Sequence, residues 1–125
     1  MSTIKNNLSK LIALVLLTAT LTVAPAAIAG SIDGPAEGVE RVRAFQTDVY
    51  EFVFAGGFVT EIVVIGDGDT DLDLFVYDEN DNLIASDRDG TDTCYVSLIP
   101  RWTGSFRVEV RNLGSVYNEY TIMVN

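Results

Sequence analysis

Short runs of Val, Ile, Phe and Tyr recur between turn-forming residues from about residue 42 to the end of the chain. In "FRVEVR" (106–111), apolar and charged residues alternate strictly, which predicts a strand with one buried and one solvated face. Comparable runs predict strands at 48–54, 58–65, 71–78, 82–87, 93–99, 105–112 and 119–125, with a further strand at 42–46. Gly, Asn, Asp and Pro fill the breaks, and no helical periodicity appears after residue 29. The pattern therefore indicates an all-β antiparallel sandwich or barrel of about eight short strands.

The first 29 residues have the composition of a secretory signal peptide. Two lysines precede an apolar run at 11–23, and the small residues Ala27 and Ala29 follow it. Export signals share this order of charged region, apolar core and cleavage motif, so we expect cleavage after Ala29. An uncleaved membrane anchor is the alternative, but the apolar run is shorter than the ~20 residues that span a bilayer. We expect a secreted protein, periplasmic or extracellular, with no membrane insertion after cleavage.

The rest of the chain is predicted to hold a leader and one domain. Residues 30–41 mix Gly, Pro and acids and are predicted to be a flexible leader, after which residues 42–125 form the domain. The formal net charge is −10, and both lysines lie within the expected signal peptide at 1–29. Nucleic acid and anionic lipid surfaces are recognised by basic patches, so neither is an expected partner. Cations and basic surfaces suit such a domain better.

The residue types that many catalytic sites require are missing. The sequence contains no histidine, which excludes Ser-His-Asp and Cys-His arrangements and the common zinc sites. Acids crowded into one local loop do not by themselves make the opposed carboxylates of a glycosidase. We therefore predict that the domain is not an enzyme. Cys94 has no partner for an internal disulfide, and its alternation with Tyr95 predicts a small buried side chain, with pairing between chains as the alternative.

Acidic residues concentrate at 67–92. If Asp71 and Asp73 lie on one strand, they share a face about 7 Å apart, and their charges repel. Arg88, backbone N–H groups of the turn at 66–68 or a bound cation would offset this repulsion.

Three of these acids also suggest a metal site. Asp67, Asp69 and Asp71 alternate in a glycine-containing loop, and Ca²⁺ takes six to eight oxygen ligands from flexible acidic loops. They are the candidate ligands of a weak calcium site. The alternative is structural, with aspartates that accept hydrogen bonds from backbone donors at the start of the strand while other acids are solvated.

Four segments together resemble the bacterial pre-peptidase C-terminal domain family. They read "DVYEFVFAGGFVTEIVV" (48–64), "DTDLDLFVYDENDNLIASD" (69–87), "GSFRVEVRN" (104–112) and "YNEYTIMVN" (117–125). The resemblance implies a jelly-roll-like β-sandwich. Such domains usually accompany secreted peptidases, and in some collagenases they are calcium-stabilised collagen-binding modules. Here the matched residues are expected to follow a signal peptide and a leader rather than a peptidase, which argues against a role tethered to a peptidase in cis.

Taken together, the sequence predicts a secreted, non-catalytic module that binds an extracellular protein or polysaccharide. It would bind through exposed aromatic residues and acids, and the candidate contacts, chosen by residue type, are Tyr77, Tyr95, Trp102 and Tyr117. Trp102 lies in the loop "PRWTGS", where it would either cover the edge of the core or contact a ligand. Two alternatives stay open: an accessory or chaperone-like partner acting in trans on an exported peptidase, and a structural envelope protein.

Overall fold

The computed structural model describes residues 2–4 and 30–125. Its strands, in chain order, are β1 (Ser2–Ile4), β2 (Ala36–Val42), β3 (Thr47–Phe54), β4 (Thr60–Ile65), β5 (Leu72–Tyr77), β6 (Leu83–Asp87), β7 (Thr93–Leu98), β8 (Gly104–Asn112) and β9 (Asn118–Val124). Strands β3 to β9 match the seven runs expected from the hydrophobic pattern to within two residues at each end. Over the described ranges, no helix is long and apolar enough to cross a membrane.

The strands form two sheets. The first has the order β1-β3-β8-β5-β6 and the second the order β2-β9-β4-β7. All neighbours pair antiparallel except β1 and β3, which pair in parallel over three residues. The eight strands from β2 to β9 thus form the predicted antiparallel β-sandwich.

Because consecutive strands run in opposite directions, the loops collect at the two ends of the sandwich. The acidic end comprises the β2–β3, β4–β5, β6–β7 and β8–β9 connections, at 43–46, 66–71, 88–92 and 113–117. The tryptophan end comprises the β3–β4, β5–β6 and β7–β8 connections, at 55–59, 78–82 and 99–103.

The core lies between the sheets and follows the two-residue alternation. In β8, Phe106, Val108 and Val110 are buried, and from the second sheet Ile122 and Val124 join the same cluster. Burying each such side chain contributes about 1.5–3 kcal/mol, so the facing rows of apolar residues supply most of the cohesion between the sheets.

Three polar side chains inside the core, those of Tyr50, Tyr120 and Asp48, form a hydrogen-bonded chain. The hydroxyl groups of Tyr50 and Tyr120 contact each other across the sandwich, and the Tyr120 hydroxyl donates to Asp48 Oδ2 at 2.7 Å. All three residues are buried, and burial raises the pKa of both tyrosines, so both stay neutral. A buried polar network that is satisfied in this way specifies how the two sheets face each other.

The charged row of β8 faces outward as predicted, but it is packed rather than freely solvated. Glu109 accepts hydrogen bonds from Arg107 Nε at 2.9 Å and Arg111 Nη2 at 3.2 Å, and its side chain is only 15% exposed. Arg111 lies over the Phe75 ring at 4.2 Å, and Arg107 lies over the Tyr77 ring at 4.4 Å. The arginines therefore cover aromatic rings on the outside of the first sheet.

The N-terminal part of the domain differs from the sequence-based expectation. Strand β2, most of which lies within the segment 30–41 expected to be a flexible leader, pairs with β9 along its whole length. The strand expected at 42–46 is instead mostly a turn, in which Phe45 has a positive φ of 55°. The first difference arises because the pairing partner of β2 lies far away in sequence. The second arises because 43–46 reverse the chain between β2 and β3, with the N–H of Gln46 donating to the Arg43 carbonyl at 3.1 Å. Residues 1 and 5–29, most of the expected signal peptide, lie outside the described residues.

Cys94 is fully buried, as its alternation with Tyr95 predicts. Its thiol donates to the Leu72 carbonyl at 3.1 Å, and burial raises its pKa to about 12. The alternative of pairing between chains is wrong for the folded protein, because the sulfur is not accessible and stays protonated.

Candidate functional site

A cleft of about 610 Å³ opens at the tryptophan end, between edge strands β6 and β7. It is lined by Asp78, Asn82, Ile84, Ser97, Leu98, Ile99, Pro100, Arg101, Trp102 and Phe106. Ile84, Ile99 and Trp102 are exposed, whereas Phe106 is buried and belongs to the core. The cleft is therefore an open groove lined by apolar and polar side chains, of the size that small ligands occupy.

The loop that carries Trp102 is held by the glycine turn that follows β3. Gly57 donates its N–H to the Pro100 carbonyl at 2.8 Å, and Gly56 donates to Thr103 Oγ1 at 3.0 Å. A Cβ atom at Gly56 would lie 2.6 Å from the Trp102 carbonyl carbon. Only glycine lets the two backbones approach this closely, so "AGG" acts as the support for the tryptophan loop.

The Trp102 ring is held on one face and at its nitrogen. It packs on Phe106 at a centroid distance of 6.5 Å, and its Nε1 donates to Glu79 Oε1 at 2.8 Å. A Cβ atom at Gly104 would lie 3.1 Å from the indole, so the ring rests against bare backbone there. Trp102 nevertheless remains 40% exposed, so one part covers the core edge and the other part faces solvent.

Asp78 shapes the opposite wall of the cleft. Its Oδ1 accepts the N–H groups of Asn80 and Asn82 at 2.8 and 2.9 Å, and its Oδ2 accepts Asn82 Nδ2 at 3.0 Å. These hydrogen bonds, with the backbone N–H of Asn82 the largest contribution, lower the pKa of the Asp78 carboxyl group. A catalytic proton donor needs a raised pKa and a free oxygen. Asp78 instead acts as an ionised turn residue, in the manner of an Asx turn.

This arrangement is suited to binding rather than to bond breaking. It offers an aromatic surface with amide, hydroxyl, carboxylate and guanidinium groups around it. Such groups hydrogen-bond to the hydroxyl groups of a ligand, while an indole packs against its apolar faces.

The four aromatic contacts expected from the sequence lie on separate surfaces. Trp102 lies in the cleft, while Tyr77 is half-buried on the outside of the first sheet beneath Arg107. Tyr95 is exposed on the second sheet, where its hydroxyl donates to Glu61 at 2.7 Å. Tyr117 is exposed at the acidic end. The structure therefore does not bring these four residues together, and their roles as contacts stay predictions.

The cleft also contains residues that the sequence analysis did not single out. Asp78 and Asn82 belong to the turn "DENDN", and Ile99 precedes the proline of the tryptophan loop. Glu79 of the same turn is connected to the cleft through its hydrogen bond to the Trp102 indole. The turn composition was visible in the sequence, but nothing local places it beside Trp102. That proximity depends on the positions of β6 and β7 at the edges of different sheets.

The candidate calcium ligands lie in the β4–β5 loop at the acidic end. Asp67 Oδ1 accepts the N–H of Asp69 at 3.1 Å, and its Oδ2 accepts the N–H of Glu119 at 2.9 Å. Asp69 is exposed, and Asp71 is half-buried. Within residues 2–4 and 30–125, no group of three or more acids, histidines or cysteines is arranged to hold a metal ion. Calcium binding by Asp67, Asp69 and Asp71 stays a prediction.

The expected repulsion between Asp71 and Asp73 is present. Burial raises the pKa of both carboxyl groups, and the charge of Asp71 raises that of Asp73 further, whereas Arg111 and Arg88 lower it. The N–H of Gly68 donates instead to Asp92 Oδ2 at 2.5 Å. Of the groups expected to offset the repulsion between Asp71 and Asp73, Arg88 does so. Arg111 also offsets it, which the sequence did not predict because Arg111 lies on the neighbouring strand β8.

No family model matches the sequence, and no curated protein matches it. Solved structures do show the same architecture. The pre-peptidase C-terminal domain of collagenase from Bacillus anthracis shares 18% identity over 71% of this chain and 89% of its own, with a TM-score of 0.53. Aeromonas hydrophila PliG, a periplasmic inhibitor of g-type lysozyme, shares 16% over 82% of this chain and 91% of its own, also with a TM-score of 0.53. CorA, a surface-associated copper-binding protein of Methylomicrobium album BG8, shares 8% over 71% of this chain and 92% of its own, with a TM-score of 0.55.

At these identities the likeness establishes the fold alone. The resemblance to the pre-peptidase C-terminal domain is thus confirmed as a similarity of fold: this chain is a β-sandwich of the type found in that domain and in the PliG inhibitor.

Proposed function

We propose that this protein is a secreted, non-catalytic binding domain and that its cleft beside Trp102 binds an uncharged polysaccharide. The observation that carries the proposal is the partly exposed indole, held in place by Phe106 and Glu79 at the rim of a cleft of about 610 Å³.

The fixed position of Trp102 supports binding. A ring that is already held on one face by a core residue and at its nitrogen by a carboxylate loses little conformational freedom when a ligand contacts it. Rigid aromatic side chains of this kind dominate the energy of many recognition surfaces.

The polar groups around the ring support a sugar ligand. Asn82, Ser97 and the backbone of 99–101 offer both donors and acceptors, which suits the hydroxyl groups of a polysaccharide. Asp78 lines the cleft and Glu79 accepts the indole N–H, so two carboxylates stand against the Arg101 guanidinium. This balance disfavours an anionic chain, which is why we propose an uncharged one.

The location outside the cytoplasm rests on the signal-peptide pattern of residues 1–29. The periplasmic PliG inhibitor and the surface-associated CorA protein, which have similar folds, are consistent with such a location.

The proposal is tested by affinity electrophoresis of the protein in gels containing glucans, mannans, xylans or chitin-derived oligosaccharides. At least one should retard the protein, and Trp102→Ala should weaken that binding by roughly tenfold or more, the loss of one hot-spot contact. Trp102→Phe should retain part of it. Tyr117→Ala, which removes an exposed aromatic ring at the opposite end of the sandwich, is the matched control and should bind like the unchanged protein.

Equal binding by Trp102→Ala, or no retardation in any gel, would contradict the proposal. The alternatives of an accessory partner of an exported peptidase and of a structural envelope protein would then lead. Copurification with an exported peptidase would favour the first, and self-association into large oligomers would favour the second.

A further inference from the structure

The acidic end exposes a patch of large apolar side chains on two adjoining loops. Phe45 is 66% exposed, Leu113 45%, Val116 50% and Tyr117 49%. The N–H of Phe45 donates to the Gly114 carbonyl at 3.1 Å, which joins the two loops. Monomeric soluble proteins rarely cluster exposed apolar side chains without a function for them.

Two buried asparagines hold this end of the sandwich together. Asn112 Nδ2 donates to the carbonyls of Arg43 and Val116 at 3.2 and 2.8 Å, and its Oδ1 accepts the N–H of Gly114 at 2.9 Å. Through these bonds, one residue of β8 fixes both apolar loops.

Asn118 does the same for the acidic loops. Its Oδ1 accepts the N–H of Asp67 at 3.1 Å, and its Nδ2 donates to Thr70 Oγ1 at 3.1 Å and Asp92 Oδ2 at 3.2 Å. The N–H of Leu113 also donates to the Asp71 carbonyl at 3.0 Å, which connects the acidic loops to the apolar ones. The four loops therefore form one pre-organised surface.

Phe45 is placed there against its backbone preference. Its φ of 55° lies in the left-handed region, where a bulky aromatic residue is an outlier and Gly or Asn is normal. Burial does not compensate for this conformation, because the side chain is mostly exposed. Local strain of this kind is retained where an exposed side chain has a use.

The charge around the patch identifies the kind of partner. The loops at 66–71 and 88–92 contain Asp67, Asp69, Asp71, Asp89 and Asp92 against Arg88 alone. Arg43 adds one exposed cation, and nearby Arg41 is already engaged with Glu119 at 3.3 Å and with the Tyr117 ring. The surface is thus apolar on one side and predominantly negative on the other.

We infer that the acidic end docks a protein partner whose contact surface has an apolar centre beside lysine or arginine side chains. The negative loops attract such a surface and set its orientation, while Phe45, Leu113, Val116 and Tyr117 supply the area that becomes buried. A second copy of this chain fits poorly, because the same surface offers Arg43 and Arg88 against the five aspartates of the acidic loops. This surface lies at the opposite end of the sandwich from the Trp102 cleft, so it does not depend on polysaccharide binding.

Three short peptides test the inference. The first is built from Lys, Leu and Trp, the second has Glu in place of every Lys, and the third has Ser in place of every Leu and Trp. Amide chemical shifts of the protein are followed during titration with each. The first peptide should shift resonances of 43–46 and 113–117 and bind more weakly as salt rises, whereas the other two should bind at least roughly tenfold more weakly.

Phe45→Asn is the decisive variant, because it removes the ring while placing a residue that accepts a positive φ. It should melt no lower than the unchanged protein, and it should lose roughly tenfold or more of its affinity for the first peptide. Asp69→Asn should reduce the dependence on salt, and Tyr95→Ala is the control that should leave peptide binding unchanged.

Several outcomes would overturn the inference. They are equal binding of the Lys and Glu peptides, shifts centred away from the acidic end, and full affinity in Phe45→Asn. Binding to zwitterionic phosphatidylcholine vesicles in preference to the peptides would assign the patch to a lipid surface. Self-association that Phe45→Asn abolishes would assign it to a second copy.

Discussion

At the scale of single residues, this protein distinguishes between acids that help the fold and acids that oppose it. Asp78 and Asp89 accept backbone N–H groups in their own turns, and these bonds lower the pKa of both. Asp71 is different, because its Oδ1 is buried without a hydrogen-bond partner among residues 2–4 and 30–125. Burial and the charges of Asp89 and Asp92 raise its pKa. Within this one acidic stretch, the ionised Asp78 and Asp89 thus stabilise the folded state, whereas the ionised Asp71 destabilises it.

Asp71→Asn should therefore stabilise the protein near neutral pH. A carboxyl group whose pKa is higher in the folded state destabilises the fold when ionised, so stability falls as pH rises from its unfolded pKa through its raised folded pKa. The expected gain at pH 7 is about 1 kcal/mol, the order of one partly screened like-charge repulsion, and it should shrink towards pH 3. Denaturant unfolding of both proteins over this pH range measures it, and the exposed Asp69→Asn provides the comparison. A gain that does not change with pH would show that the charge of Asp71 is not the cause.

At the scale of secondary-structure elements, the loops depend on contacts between segments distant in sequence. The β3–β4 turn supports the β7–β8 loop, and Asn112 and Asn118, at the end of β8 and the start of β9, support the loops at the acidic end. The strands themselves are specified locally by alternation, whereas the loop positions are specified by neighbouring strands.

Gly56→Ala should disturb the tryptophan loop specifically. The added Cβ would meet Trp102 backbone atoms at 2.6 and 2.7 Å, so the loop must move, at a cost of about 1–3 kcal/mol as for other overpacked sites. The intrinsic fluorescence of Trp102, the one tryptophan of the chain, should change with it.

Gly57→Asn is the matched control for this experiment. A Cβ at Gly57 would contact nothing within 4 Å, and asparagine tolerates its positive φ of 82°. The fluorescence of this variant should resemble that of the unchanged protein. Unchanged fluorescence and stability in Gly56→Ala would contradict the supporting role of the turn.

At the scale of the whole molecule, the sandwich carries two different surfaces at opposite ends. The tryptophan end has a cleft with one fixed aromatic ring, and the acidic end has an apolar patch beside negative loops. We propose a polysaccharide for the first and a basic protein surface for the second, which would let one small domain connect the two.

Calcium binding is tested on the whole molecule as well. If Asp67, Asp69 and Asp71 bind calcium, millimolar calcium should raise the melting temperature of chelator-treated protein, by mass action on the folded state. Magnesium at the same ionic strength should not, and Asp69→Asn should abolish the rise. No shift, or an equal shift with magnesium, would leave these aspartates as turn and solubility residues.

The sequence by itself determined the positions of seven strands, the burial of Cys94 and the lack of histidine in the chain. The lack of histidine follows from composition. The strand positions and the burial of Cys94 follow from the two-residue alternation of apolar and polar side chains, which can be recognised within a few residues. The tertiary structure decided the rest. It converted most of the expected leader into β2, brought "DENDN" beside Trp102, placed Arg111 near Asp73, and separated the four candidate aromatic residues. Each of these results depends on which strands pair and which lie at a sheet edge, and that is set by contacts between residues far apart in the chain.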